Sequence, residues 1–198
     1  GKTTNVIPLG VVSIPAYITS QRNDLQNVIW VGNIVENKRP MLLLECAKRF
    51  PELSFIMLGD GDLLDEVKKT VSSNDLHNVT IKGRVPNAQV YEYLVNSSLL
   101  LMTSQYEGLP KVIQEAAQCG VPAIYFNEHY SVDFIQDGVN GYEVNSIEQM
   151  VDKISFLQEN PEIYKQLREA AKTIIKDYTW DRLITQYEEY FWEQYFGK

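Results

Sequence analysis

The chain has 198 residues, 44% of them hydrophobic, enough for one sizeable core or at most two small ones. A charged fraction of 22% is ordinary for a globular domain and argues against wholesale disorder. The formal net charge of -8 argues against nucleic acid as a partner, which needs clustered Lys and Arg, yet leaves room for a nucleotide in a locally positive pocket.

Cys46 and Cys119 have no CxxC spacing and no neighbouring histidine, so they read as small buried hydrophobes in a reducing, cytoplasmic compartment. Uninterrupted apolar runs such as Leu99–Met102 are far too short to span a bilayer, and the first residues carry no signal pattern. The expectation is a soluble domain.

Short apolar runs alternate with longer amphipathic segments, the pattern of βαβ units and a parallel sheet. Residues 27–31 (NVIWV) read as a buried strand ending at Gly32, and Pro40 opens a helix over 41–49. A strand over 53–58 ends at Gly59, and a helix over 63–71 follows, with Asp62 placed to cap it. A third strand over 79–82 ends at Gly83, and Asn87 is the expected N-cap of a helix over 88–95. Leu99–Met102 is a fourth strand, followed by a helix over 110–118 that Gly120 stops as a C-cap. Strands over 121–126 and 142–144 come next, the second reached through the turn at 137–141.

Beyond that point residues 147–158, 162–177 and 181–196 read as helices, the last rich in aromatics. Pro8 and Pro15 break any period in residues 1–26, which read as an edge segment or a connection between domains. The fold expected is α/β, a Rossmann-like doubly wound parallel sheet over residues 27–198 with C-terminal helices.

In such a sheet ligands bind at the carboxyl ends of the strands, where the strand order reverses. The loop Gly32-Asn33-Ile34-Val35-Glu36-Asn37-Lys38-Arg39-Pro40 puts a glycine at the strand end and an ammonium before a helix N-terminus, which suits a phosphate. A solvated polar turn explains the same residues equally well, and neither the P-loop pattern nor GxGxxG is present. In TSQYEGLPKVIQE (103–115), the Gly108 and Leu109 amides sit before a helix start, Lys111 lies in its first turn, and Glu115 falls among apolar neighbours. A ribose diol would satisfy that carboxylate, as would a nearby lysine, while Glu107 could equally be a cap. Gly83-Arg84-Val85 suits backbone and apolar contacts to a planar base, or forms a plain turn. Asp60-Gly61-Asp62 has the DxD form of metal-dependent sugar transfer, but its place after a Rossmann-type strand favours a structural role. His77 and His129 are isolated, so no metal site and no catalytic triad is expected.

From about Val28 to Tyr190 the chain resembles the retaining glycosyltransferases of family 4 (group 1), enzymes with two Rossmann domains in the GT-B arrangement. VGNIVENKRP is similar to the family's diphosphate-contacting segment, FIMLGDGDLLDEV to its strand followed by G-x-G, and VTIKGRVPNAQVYEYLVNSSLLLMTS to the stretch from base loop to core strand. YEGLPKVIQEAAQCGVPAI matches the signature of two glutamates separated by seven residues, and DGVNGYEV and DYTWDRLITQYEEYF resemble terminal elements.

The resemblance implies a C-terminal donor-binding domain that takes a nucleotide-diphosphate sugar as substrate, with no cofactor and no metal. Lys38 and Glu107 would be the catalytic residues, Lys38 neutralising the diphosphate and Glu107 facing the sugar hydroxyls. Asn33, Arg39, Gly83, Arg84, Val85, Gly108, Leu109, Lys111 and Glu115 would complete the nucleotide-sugar site, with Glu115 on the ribose. The family's usual arginine is Asn33 here, shifting weight to Lys38 or Arg39, and its Phe-Gly is Leu109-Pro110, which removes one amide. The acceptor, a glycan or lipid-linked saccharide, would be read by an N-terminal domain absent from these residues, and the full-length protein could associate peripherally with membrane. This chain alone would then be inactive. The alternatives are a non-catalytic nucleotide- or phosphate-binding module and an interaction domain using Tyr187, Tyr190, Phe191, Trp192, Tyr195 and Phe196.

Overall fold

The computed structural model describes residues 10–12 and 24–196, apart from the side chain of Gln194. Most of the reading for residues 1–26, including Pro8 and Pro15, lies outside the described residues. Val11 alone bridges in parallel to Thr179, its amide donating to the Tyr178 carbonyl at 2.9 Å.

The chain runs β1 (Asn27–Val31), a 3-10 turn (Glu36–Lys38), α1 (Pro40–Arg49), β2 (Ser54–Leu58), α2 (Leu64–Ser73), β3 (Val79–Gly83) and α3 (Asn87–Val95). It continues with β4 (Leu99–Met102), α4 (Lys111–Gln118), β5 (Ala123–Phe126), β6 (Gly141–Val144), α5 (Ile147–Glu159) and α6 (Pro161–Ile174). A second 3-10 turn (Ile175–Tyr178) leads into α7 (Trp180–Tyr195). The six strands form one parallel sheet in the order β3-β2-β1-β4-β5-β6. The order reverses between β1 and β4, the doubly wound arrangement expected from the alternating pattern.

Alternation along the strands divides the core between the two faces of the sheet. Val28, Trp30, Phe55, Met57, Leu99, Leu101, Ile124 and Phe126 face α1, α2 and α5. Ile29, Leu58, Leu100, Met102, Ala123 and Tyr125 face α3, α4 and the end of α6. All four residues of β4 and all four of β5 are buried, which is why these strands read as continuous apolar runs. Cys46 and Cys119 are both free and buried. No helix among the described residues is long and apolar enough to cross a membrane.

Several helix boundaries differ from the sequence reading. Asn87 is the first residue of α3, not its cap; Pro86 occupies that position, with φ -59° already suited to leading into a helix. Pro110 likewise stands before α4, because its ψ of 76° is not helical. Asp62 does not cap α2, which starts at Leu64 after Leu63 with no side-chain cap. Residues 162–177 are not one helix: α6 tightens into the 3-10 turn, which redirects the chain to Val11. Gly120, by contrast, stops α4 as expected, with φ +70° and its amide on the Ala117 carbonyl. Along α7, Leu183 is buried while Phe191, Trp192, Tyr195 and Phe196 are exposed.

The loop after β2 lies directly against the loop after β1. A Cβ on Gly59 would sit 1.8 Å from the Gly32 carbonyl oxygen, at a φ of +149° that side chains rarely adopt. Gly59→Ala is therefore expected to cost at least about 3 kcal/mol in a urea unfolding measurement. A loss below about 1 kcal/mol would contradict the backbone-on-backbone packing.

Candidate functional site

The reversal between β1 and β4 brings the loop after β1 against the loop after β4. The Gln105 amide donates to the Asn37 carbonyl at 2.8 Å, and Asn37 Nδ2 donates to the Tyr106 carbonyl at 3.2 Å. Lys38 Nζ pairs with Glu107 Oε1, their side chains only 22% and 12% exposed. Two residues separated by 69 positions thus form one charged centre.

A relay behind them fixes the lysine. The Trp30 indole donates to Thr103 Oγ1 at 2.8 Å, and that hydroxyl donates to the Lys38 carbonyl at 2.6 Å. Arg39 straps the loops together: Nε donates to the Thr103 carbonyl at 2.7 Å, and the terminal nitrogens reach the Ser104 carbonyl and Glu128 Oε1. Its guanidinium also lies 4.4 Å from the centroid of the Phe126 ring. The backbone of Arg39 is left-handed, φ 45°, where the 3-10 turn gives way to α1. These contacts hold a conformation costing about 1–2 kcal/mol for a residue with a Cβ. The sequence reading assigns Arg39 to the diphosphate; here each guanidinium nitrogen already serves the scaffold.

Beside this centre opens a cleft of about 1080 Å³. Asn33, Lys38, Arg84, Val85 and Lys111 line it, so five of the residues expected to bind the donor share one wall. Leu58, Gly59, Asp60, Gly61, Asp62, Asn87 and Val90 line it too. Gly61 reaches the cleft because a Cβ there, at φ +155°, would fall 2.6 Å from the Ile34 carbonyl oxygen. Gly83 ends β3 at φ +71°, turning Arg84 and Val85 toward the cleft. Gly108 and Leu109 donate their amides to no protein group among the described residues, and nothing lies within 4 Å of where a Gly108 Cβ would be. The Lys111 amide is turned onto the Leu109 carbonyl at 2.9 Å.

Glu115 is placed differently. It lies in a recess of about 240 Å³ with Gly10, Val11, Val12, Tyr91, Gln114 and Trp180, and Lys111 borders both spaces. Burial raises the Glu115 carboxyl above its ordinary range, with the Lys111 charge partly opposing. Among the described residues no group of three or more His, Cys, Asp or Glu side chains could hold a metal ion. Trp30 and Thr103 are the neighbours whose roles sequence reasoning does not assign, and the Gly59–Asp62 turn, read there as structural, lines the cleft. The G-D-G pattern at the end of β2 is the one local signal for that turn.

Two outcomes follow from these contacts. Arg39→Ala should destabilise the chain by about 2 kcal/mol through its lost hydrogen bonds, measured by urea unfolding; unchanged stability would remove its strapping role. A carboxyl whose folded pKa is raised binds more protons folded than unfolded, so it costs stability as pH rises above the ordinary 4.5. Urea midpoints across that window should fall for the parent and stay flatter for Glu115→Gln; parallel curves would contradict the burial of the charge.

The family described as "Glycosyl transferases group 1" matches residues 19–174. An "Uncharacterized glycosyltransferase" of Haemophilus influenzae is 28% identical over 171 residues, covering 82% of this chain and 48% of the relative. The "Alpha-galactosylglucosyldiacylglycerol synthase" of Streptococcus pneumoniae is 28% identical over 173 residues, covering 84% of this chain and 46% of the relative. The chain therefore spans about half the length of these curated relatives. A crystal structure of an S. aureus TarM variant in complex with Fondaparinux, alpha-GlcNAc-glycerol and UDP superimposes with a TM-score of 0.78 at 26% identity. That match covers 90% of this chain and 38% of the other. By the family match over most of its length, together with a parallel sheet in the same arrangement, this chain belongs to the group 1 glycosyltransferases.

Proposed function

We propose that this chain is the donor-binding half of a retaining, family 4 glycosyltransferase, which moves a sugar from a nucleoside diphosphate to a glycan or lipid-linked acceptor. The observation that carries this reading is the pairing of Lys38 with Glu107 at the strand-order reversal, on the edge of the cleft. The adjoining cleft is large enough for a nucleotide sugar.

In this reading the base lies against Gly83, Arg84 and Val85, and the diphosphate reaches past Asn33 to Lys38. Transfer breaks the bond from the sugar's anomeric carbon to the diphosphate oxygen, which departs with the electron pair, while an acceptor hydroxyl oxygen bonds to that carbon and passes its proton to the departing diphosphate. The Lys38 ammonium and the backbone amides are fixed before the charge develops there, so they stabilise the leaving group without reorganising. Lys38 must then divide its attention between Glu107 and the phosphates, which frees a Glu107 oxygen to accept from sugar hydroxyls. Glu115 accepts from the ribose, its desolvation offset by two hydroxyl donors. In this reading the lysine and oriented amides take the place of a metal ion in stabilising the leaving diphosphate. The TarM structure solved with UDP supports the donor class, and the diacylglycerol and other saccharide-building relatives support a glycan or lipid acceptor. An acceptor-reading domain would lie in the part of such proteins that this chain does not span, and the cytoplasm is the compartment where nucleotide sugars are available to it.

Calorimetric titration with UDP, GDP and ADP should find one that binds equally with and without magnesium. Lys38→Glu should weaken it by at least about 100-fold, since one phosphate-binding charge is replaced by a repelling one. Glu115→Ala should weaken it by about tenfold. Unchanged affinity in Lys38→Glu would exclude the assigned role.

A further inference from the structure

We propose that Tyr130 is a specificity-determining residue, its buried phenol hydroxyl donating a hydrogen bond to an oxygen of the transferred sugar. The inference rests on the donor-binding reading and adds the part of the chain that discriminates between sugars.

Tyr130 stands in the loop after β5, and its hydroxyl oxygen is buried with no hydrogen-bond partner among the described residues. The loop is clamped around it. Tyr125 donates its hydroxyl to Glu143 Oε1 at 2.6 Å and accepts from the Val132 amide at 3.2 Å. Asn127 Nδ2 donates to the other Glu143 oxygen at 2.8 Å. The Tyr130 ring packs on Tyr125, 5.5 Å between centroids, which restrains it from swinging its hydroxyl to water.

The loop that carries Tyr130 adjoins the charged centre: Glu128, two residues before Tyr130, accepts from Arg39 Nη1 at 2.9 Å. Burial raises the phenol's pKa most, the Glu107 carboxylate raises it further, and Arg39 opposes them. The group is therefore a neutral donor at physiological pH. A second unpaired buried atom adjoins the same centre: Asn37 Oδ1, whose amide nitrogen is tied to the Tyr106 carbonyl next to Glu107. An orphaned donor and an orphaned acceptor are each costly in a folded protein, and a buried polar atom without a partner calls for an explanation. A ligand carrying several hydroxyls satisfies both at once. Tyr130 belongs to the β5 loop, joined to the centre through Glu128 and Arg39, and not to the cleft wall around Arg84 and Val85, so in this proposal it meets the sugar end of the donor and not the base.

The test is Tyr130→Phe in this chain, which keeps the ring on Tyr125 and removes only the hydroxyl. Affinities are measured by calorimetry for whichever of UDP, GDP and ADP binds the parent, and for its glucose, galactose and N-acetylglucosamine derivatives. The free diphosphate should bind the variant within about twofold of the parent, while the preferred sugar derivative loses about tenfold, the value of one hydrogen bond. The thermal midpoint should hold or rise, since an unpaired buried hydroxyl has gone; a fall would mark a structural role and overturn the proposal. Equal losses for diphosphate and sugar derivative, or no loss for either, would overturn it while leaving the donor-binding reading intact. A parent chain that binds none of the nucleotides would overturn that reading and this inference with it.

Discussion

The site depends on one hydrogen-bond relay, from the Trp30 indole to the Thr103 hydroxyl to the Lys38 carbonyl. It joins β1 to the end of β4 at the point where the sheet reverses its winding. With it, and with the Arg39 guanidinium across Thr103 and Ser104, a lysine and a glutamate from distant parts of the chain meet in a partly buried place. Partial burial strengthens their interaction and keeps the lysine aimed at the mouth of the cleft.

The architecture divides labour between rigid and charged parts. Arg39 is in a strained backbone conformation and has its donors committed, so it behaves as part of the frame. Lys38, one residue earlier, pairs with the Glu107 carboxylate and borders the cleft. Neighbouring cations on one loop thus have different surroundings, decided by which carbonyls and carboxylates lie within reach. The same economy governs the glycines. Gly59 and Gly61 permit the β2 loop to rest on Gly32 and Ile34, and this contact sets the depth of the cleft.

The two glutamates with seven residues between them also differ in their surroundings. Glu107 is neutralised by Lys38, whereas Glu115 sits under α3 and the segment around Val11 with only Lys111 to offset its burial. A carboxylate kept in such surroundings costs stability until hydroxyl donors reach it, which fits a residue retained for a ligand and not for the fold. Tyr130 presents the complementary case, a donor lacking an acceptor.

By itself the sequence determined the sheet and its alternation with helices, because fully apolar strands and periodic helices are local patterns that burial enforces. It also singled out Lys38, Glu107, Gly108 and Glu115, since the glutamate spacing and the glycine before a helix are short-range signals. Only the tertiary structure decided which of these meet. Lys38 and Glu107 pair across 69 positions because β1 and β4 are neighbours, a fact of strand order that no local pattern encodes. It also decided that Arg39 bridges the loops after β1 and β4, that Asp62 does not cap α2 and that the hydroxyl of Tyr130 has no partner among the described residues. Each of these depends on which carbonyl or carboxylate comes within about 3 Å, a distance set by packing between elements far apart in the chain.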